Sequence, residues 1–183
     1  MSKKWKVVLL VFFSLIIILI TAGALIRMNT KKHSPVDTIT FNESGLTLKT
    51  VYCQPYKKGR KIFGSTEAGA LQPYGEYWRM GANEATTLEA NRDITFAGKA
   101  LKAGKYSIYA VTGEKMWRIG VNPDANRWGV PAPNFDDDVI SVEVPVSYND
   151  DIVEQLTMEF VAGDSGAVME IRWENSVVKI PIK

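Results

Sequence analysis

Gly104–Asn122 reads GKYSIYAVTGEKMWRIGVN. Tyr106, Ile108 and Ala110 fall on one side of an extended chain, and Thr112-Gly113-Glu114 turns it. On the return, Trp117, Ile119 and Val121 face one way, against Met116, Arg118 and Asn122. Side chains alternate across a strand, so this pattern predicts two half-buried strands joined by a turn. The same signal extends in both directions. Leu46, Leu48, Thr50 and Tyr52 oppose Thr47, Lys49, Val51 and Cys53, until Pro55 ends the run. Ile140, Val142 and Val144 share a face, as do Leu156, Met158 and Phe160, then Met169, Ile171 and Trp173, then Val178, Ile180 and Ile182. Gly163-Asp164-Ser165-Gly166 and Glu174-Asn175-Ser176 are expected to turn the chain. Roughly nine or ten short strands with a wet face predict an all-β domain, an antiparallel β-sandwich that is jelly-roll-like or barrel-like.

One N-terminal transmembrane helix is expected to precede that domain. Val7 to Ile26, VVLLVFFSLIIILITAGALI, carries no charge. Twenty residues of helix span about 30 Å, the thickness of a bilayer's hydrocarbon core. A cleaved signal peptide with an Ala22-Gly23-Ala24 site is the competing expectation. The apolar run continues past that site and exceeds the usual signal core, which favours an uncleaved anchor. The expected organisation is therefore an anchor or signal over 1–27, a tether over 28–35 and a single β-domain over 36–183. The domain is placed outside the cytoplasm.

Of 183 residues, 46% are hydrophobic, and the net charge is +2. Six Lys/Arg and no Asp/Glu lie in residues 1–32, so 16 basic and 20 acidic side chains follow. The domain is mildly acidic with no basic stripe, which argues against a nucleic-acid partner. The lone Cys53 cannot form an internal disulfide and is expected to be a small buried hydrophobe. The lone His33 falls in the expected tether.

Two stretches break the alternation. Gly59–Thr87 reads GRKIFGSTEAGALQPYGEYWRMGANEATT, and 122–138 reads NPDANRWGVPAPNFDDD. Long irregular segments in compact domains are commonly functional. Arg60 and Arg79 would grip a carboxylate or phosphate, with Tyr74 and Trp78 offering ring faces and Asn83 and Glu84 adding polar groups. The competing structural expectation has Arg79 stacked on Trp78 or paired with Glu84. Trp128 is either a lid packed on the core or an exposed contact, and the lid is expected.

The runs KGRKIFG, LQPYGEYWRMGANEAT, LKAGKYSIYAV, the tryptophan strand ending in Asn122, and the closing WENSVVKIPI together resemble the bacterial family known as domain of unknown function 2911. The resemblance covers about residues 34–183. It implies an exported β-domain of the bacterial envelope and brings no activity with it. Where many members have Tyr-Ser-Arg-Pro, this chain has Tyr52-Cys53-Gln54-Pro55, so any role of that arginine is not carried by Gln54.

Catalytic motifs are scarce. One His and one Cys exclude zinc sites built on those ligands, and a Ser-His-Asp or Cys-His arrangement would need His33. The stretch from Asp124 begins like a calcium loop but has Trp128 and Phe135 at ligand positions. Asp136-Asp137-Asp138 is expected to be a solvated acidic turn. No cofactor or metal is expected. The leading expectation is a non-catalytic binding or interaction module, held to the lipid bilayer by its helix, for a glycan, a peptide or an anionic small molecule. The rival is an envelope hydrolase or isomerase using Glu84 or Glu76 with Arg79, with Glu67 nearby in sequence.

Overall fold

The computed structural model describes residues 2–183, in two compact units that meet in sequence between His33 and Ser34. Met1, the first residue of the expected anchor, lies outside the described residues. The first unit is helix α1, Lys3–His33. It is long and apolar enough to cross a membrane, with a mean hydropathy of 3.0 over an 18-residue window, and the same length and composition suit a signal sequence. The helix does not end with its apolar run. It continues through the segment expected to be a tether, because no Gly or Pro interrupts residues 28–33. Lys31, Lys32 and His33 in its last turn complement the helix dipole. Pro35 then bars the preceding residue from helical geometry.

The second unit is mostly antiparallel sheet. Its strands are β1 (Val36–Glu43), β2 (Leu46–Cys53), β3 (Phe63–Gly64), β4 (Gln72–Pro73), β5 (Tyr77–Trp78) and β6 (Thr86–Ala90). They continue with β7 (Ile94–Phe96), β8 (Lys99–Leu101), β9 (Gly104–Val111), β10 (Met116–Asn122), β11 (Ile140–Gly163) and β12 (Gly166–Ile182). Ten of them form one sheet: nine follow the order β1-β2-β6-β9-β10-β11-β12-β7-β8, and the tenth, β5, pairs with β9 off that path. The remaining two, β3 and β4, form a small parallel pair.

Two long strands fold this sheet into a sandwich. Ile140–Pro145 of β11 pairs with β10, and Val146–Gly163 pairs with β12. The chain thereby passes from one half of the sheet to the other, bending at register shifts between Tyr148 and Thr157. The halves meet through Phe41 of β1 and Phe160 of β11, 6.4 Å apart. The sequence predicts separate strands here and a turn at Glu174–Ser176. Instead β12 runs straight through, and Glu174 takes a left-handed conformation (φ 55°) inside it. One residue of that kind bends a strand without ending its pairing. The strand count exceeds the expected nine or ten because β3, β4 and β5 are two-residue pairings, too short to alternate.

Inward faces match the sequence pattern closely. Trp117, Ile119, Val121, Leu156, Met158, Met169, Ile171, Trp173, Val178, Ile180 and Ile182 are all buried. Tyr52 is also buried, and its hydroxyl is a cross-sandwich node. It donates to Asp37 (3.2 Å) and accepts from Met158 N (2.9 Å) and Gln54 Nε2 (3.0 Å).

Truncating Trp117 or Trp173 to alanine is expected to cost about 3–5 kcal/mol. Lys179→Ala, on the wet side of β12 and 2.9 Å from Glu170, should cost less than about 1 kcal/mol. Denaturant melts of the full chain in detergent check the contrast.

Burial pushes the Tyr52 phenol up to about 12; the bonds from Met158 and Gln54 oppose this, and Asp37 adds to it. The folded pKa lies above the unfolded value. Its contribution to stability is therefore fully present below about pH 10 and is lost as pH rises toward 12. Unfolding free energy measured from pH 9 to 12 should fall less steeply in Tyr52→Phe than in the parent. At pH 8 that variant should lose about 1–3 kcal/mol, because Met158 N is left without its acceptor.

Candidate functional site

Strand β5 is only two residues long, yet it decides which way the irregular segment faces. Tyr77 lies opposite Val111 and Trp78 opposite Ala110 of β9. Successive strand residues point to opposite faces. Trp78 enters the core, at 2% exposure, so Tyr77 and Arg79 are sent to the outward face. Cys53 reaches that face by the same rule, since its neighbour Tyr52 points inward.

This outward face is not open to solvent. The 123–139 connection lies over it. Tyr77 and Tyr109 approach Phe135 at 6.3 and 5.2 Å, and approach each other at 5.4 Å. Gly120 makes room, because a Cβ there would fall inside the Tyr109 ring. The Tyr109 hydroxyl donates to the Asp138 carboxylate, which also accepts from Asn122 Nδ2 at 2.9 Å. Burial first, then that carboxylate, raises the Tyr109 pKa well above the usual phenol range. Asp138 is thus tied into the fold. The flanking Asp136 and Asp137 sit in a short 3-10 turn over Phe135–Asp137, capped by Asn134.

The connection is pinned to the irregular segment at its other end. Gly129 N donates to Asn83 O (2.9 Å), Ala85 N donates to Arg127 O (3.2 Å), and Glu84 bridges Trp128. Tyr77 Oη donates to Gly129 O and accepts from Arg127, both at 3.0 Å. A Cβ on Gly129 would fall within the Arg79 stem and 2.8 Å from Asn83 O. Glycine at this position lets the loop close over the arginine.

Beneath the loop is a polar cluster around Cys53. The thiol donates to Glu84 Oε2 and accepts from Asn83 Nδ2, each at 3.8 Å. Asn83 holds a left-handed conformation (φ 60°), which asparagine tolerates. The sulfur is buried as expected, but its neighbours are polar.

Arg79 differs from the other arginines described in having a buried guanidinium nitrogen without a partner; exposed Arg118 also makes no hydrogen bond or salt bridge, but lies in solvent. Among the described residues Arg79 makes no hydrogen bond and no salt bridge, and its Nε is sealed from solvent without a partner. Desolvation lowers its pKa; Tyr77 and Cys53 act in the opposite sense. The expected pairing of Arg79 with Glu84 is not formed; Glu84 takes the Cys53 thiol instead.

Of the seven candidates, Arg79, Asn83, Glu84 and Trp128 come together. Trp78 does not join them. It packs against Trp173, Trp117 and Phe63 at 5.8, 5.5 and 5.2 Å. Tyr74 is half-buried against the core. Arg60 is exposed and donates to the carbonyls of Lys57 (2.9 Å) and Tyr56 (2.5 Å). Trp128, expected as a lid over the core, is 37% exposed. Cys53, Tyr77, Tyr109, Arg127 and Gly129 belong to the site, and the sequence does not mark them as site residues; Cys53 reads there as a small buried hydrophobe. For Cys53 and Tyr77 the signal was available, because each sits beside an inward aromatic residue.

An all-β domain behind an apolar helix, with one covered outward face, is the class that this geometry defines. The family model described as "Protein of unknown function (DUF2911)" matches residues 34–182, and the chain belongs to that family. No curated protein and no solved structure matches it.

Arg79→Ala should leave stability within about 1 kcal/mol of the parent, because it removes a partly desolvated charge that makes no hydrogen bond or ion pair with the protein. Gly129→Ala should cost about 1–3 kcal/mol by overpacking. In the Arg79→Ala background that cost should shrink, since the stem it strikes is gone. A denaturation double-mutant cycle reads the coupling.

Proposed function

We propose that the protein is a single-pass membrane protein of the bacterial envelope. Its β-domain stands outside the cytoplasm and binds a ligand without transforming it. The 123–139 connection supports this most directly. It is fastened by hydrogen bonds at both ends, yet it presents Trp128, Val130 and Phe135 at 37%, 53% and 42% exposure. A rigid segment with outward apolar side chains beside a polar cluster is how binding sites limit the entropy lost on association. The ligand classes that suit it are a glycan, a peptide or an anionic small molecule.

The enzyme reading, with Glu84 or Glu76 acting beside Arg79, has less support. Glu76 is exposed in a turn closed by its own N–H on Pro73 O, and Glu84 is engaged with the Cys53 thiol. Glu67 is fully exposed, and hydrogen bonds from its own backbone and Ser65 lower its pKa, the opposite of what a general acid needs.

A thermal-shift panel of glycans, peptides and organic anions on the full chain in detergent tests the proposal. A true ligand at 100 times its Kd should add about 2.7 kcal/mol of stability, and Trp128→Ala should weaken that response. If no class stabilises the parent, or if mass spectrometry finds a panel member chemically converted, the binding-module reading falls.

A further inference from the structure

We infer that the outward face carries a carboxylate-binding site centred on Arg79. This rests on the binding reading above and names its ligand chemistry. A guanidinium has five N–H donors in a fixed plane. At three other arginines of the domain such donors are used. Arg127 reaches Tyr77 Oη and Pro131 O, Arg60 reaches two carbonyls, and Arg172 pairs with Glu159 and Glu170 at 2.8 and 3.4 Å. Arg79 alone of these four gives none of its donors to the protein, although its Nε is shut off from water.

The side chain is not free to escape that cost. Trp78 before it and Met80 after it are both buried, and Met80 holds a left-handed conformation (φ 54°) that only surrounding structure sustains. Gly129 closes over the stem. With the inner edge of the guanidinium sealed, the terminal nitrogens are the part that a ligand can reach. Its charge is delocalised, so an anion on those nitrogens offsets the desolvation of the whole group.

The planar fork matches a carboxylate or a phosphate. Glu84 decides between them. Its carboxylate lies in the same cluster, through Cys53, and a second negative charge on the ligand would be repelled. A monoanionic organic carboxylate is therefore preferred over phosphate. Its carbon end would lie toward Trp128, a half-open residue whose backbone is bridged to that of Glu84.

The test uses the full chain in detergent, with sodium acetate, sodium phosphate and sodium chloride at matched ionic strength. Two signals are followed, the melting temperature and the Arg79 Nε–Hε resonance. Acetate should raise the melting temperature of the parent above the chloride control and shift that resonance saturably. Phosphate should do so less. Arg79→Ala should abolish the thermal effect, and Arg79→Lys, a more conservative change, should weaken acetate binding several-fold. No acetate effect, an effect that persists in Arg79→Ala, or a larger response to phosphate would each overturn the assignment. The carboxylate site and the binding module can fail separately. A panel ligand that binds Arg79→Ala and Arg79→Lys as tightly as the parent would sink the carboxylate site and leave the binding module standing. A panel with no hits, beside a saturable acetate response in the parent, would do the reverse.

Discussion

Four aromatic rings hold this domain together. Phe63 lies 4.8 Å from Trp117, 5.2 Å from Trp78 and 6.0 Å from Trp173. The three tryptophans come from different places: the irregular segment, β10 and β12. Trp78 stacks on Trp173 with 22° between the rings. Aromatic contacts of this kind add to the area they bury, so the junction fixes orientation as well as contributing stability. It costs something too, since the indole N–H groups of Trp78 and Trp173 have no partner. Buried donors of that sort are tolerated where packing gain exceeds their loss.

The functional face is a consequence of that junction. Once Trp78 is committed to the core, its neighbours must point out. Arg79 is then placed on a face that the 123–139 connection covers, whatever its own preference for water. Left to itself, an arginine at a loop tip would stay hydrated. Here two buried neighbours and a closing glycine keep it half-desolvated. Core packing thus sustains an electrostatic cost on the outward face. Ordinary ion pairs elsewhere, such as Lys102 with Asp93 at 2.7 Å, are solvated and carry no such tension.

The polar residues beneath the loop also explain its rigidity. Ser107 and Asn122 are 1% and 2% exposed on a face that the sequence suggests is wet. Asn122 reaches both Asn134 O and Asp138, and so ties β10 to the loop that follows it. Buried polar groups need partners; Asn122 finds its partners in the connection, and the Ser107 hydroxyl donates to Asn122 O at 3.5 Å. That is why the Pro-rich stretch is fastened to the sheet: Asp136 and Asp137 form the expected solvated acidic turn, and Asp138 alone is drawn into the fold.

Much of the fold was written in the sequence by itself. The inward sets on β2, β10, β11 and β12, the apolar helix and the family membership all follow from local patterns, because alternation has a period of two and burial enforces it residue by residue. Arg79, Asn83, Glu84 and Trp128 could be named for the same reason, as unusual residues in stretches that broke the period. Which of the candidates meet was decided only by the tertiary structure. Trp78 and Arg79 look equally available in sequence, and the ring contacts of Trp78 in the core send them to opposite sides of the sheet. Tyr52 finds Met158 across 106 residues, and Glu84 meets Trp128 through a bridge that no local pattern announces. Pairings of that kind depend on where β11 bends and on what covers the far face of the sheet, and neither is encoded within a few residues of the groups they bring together.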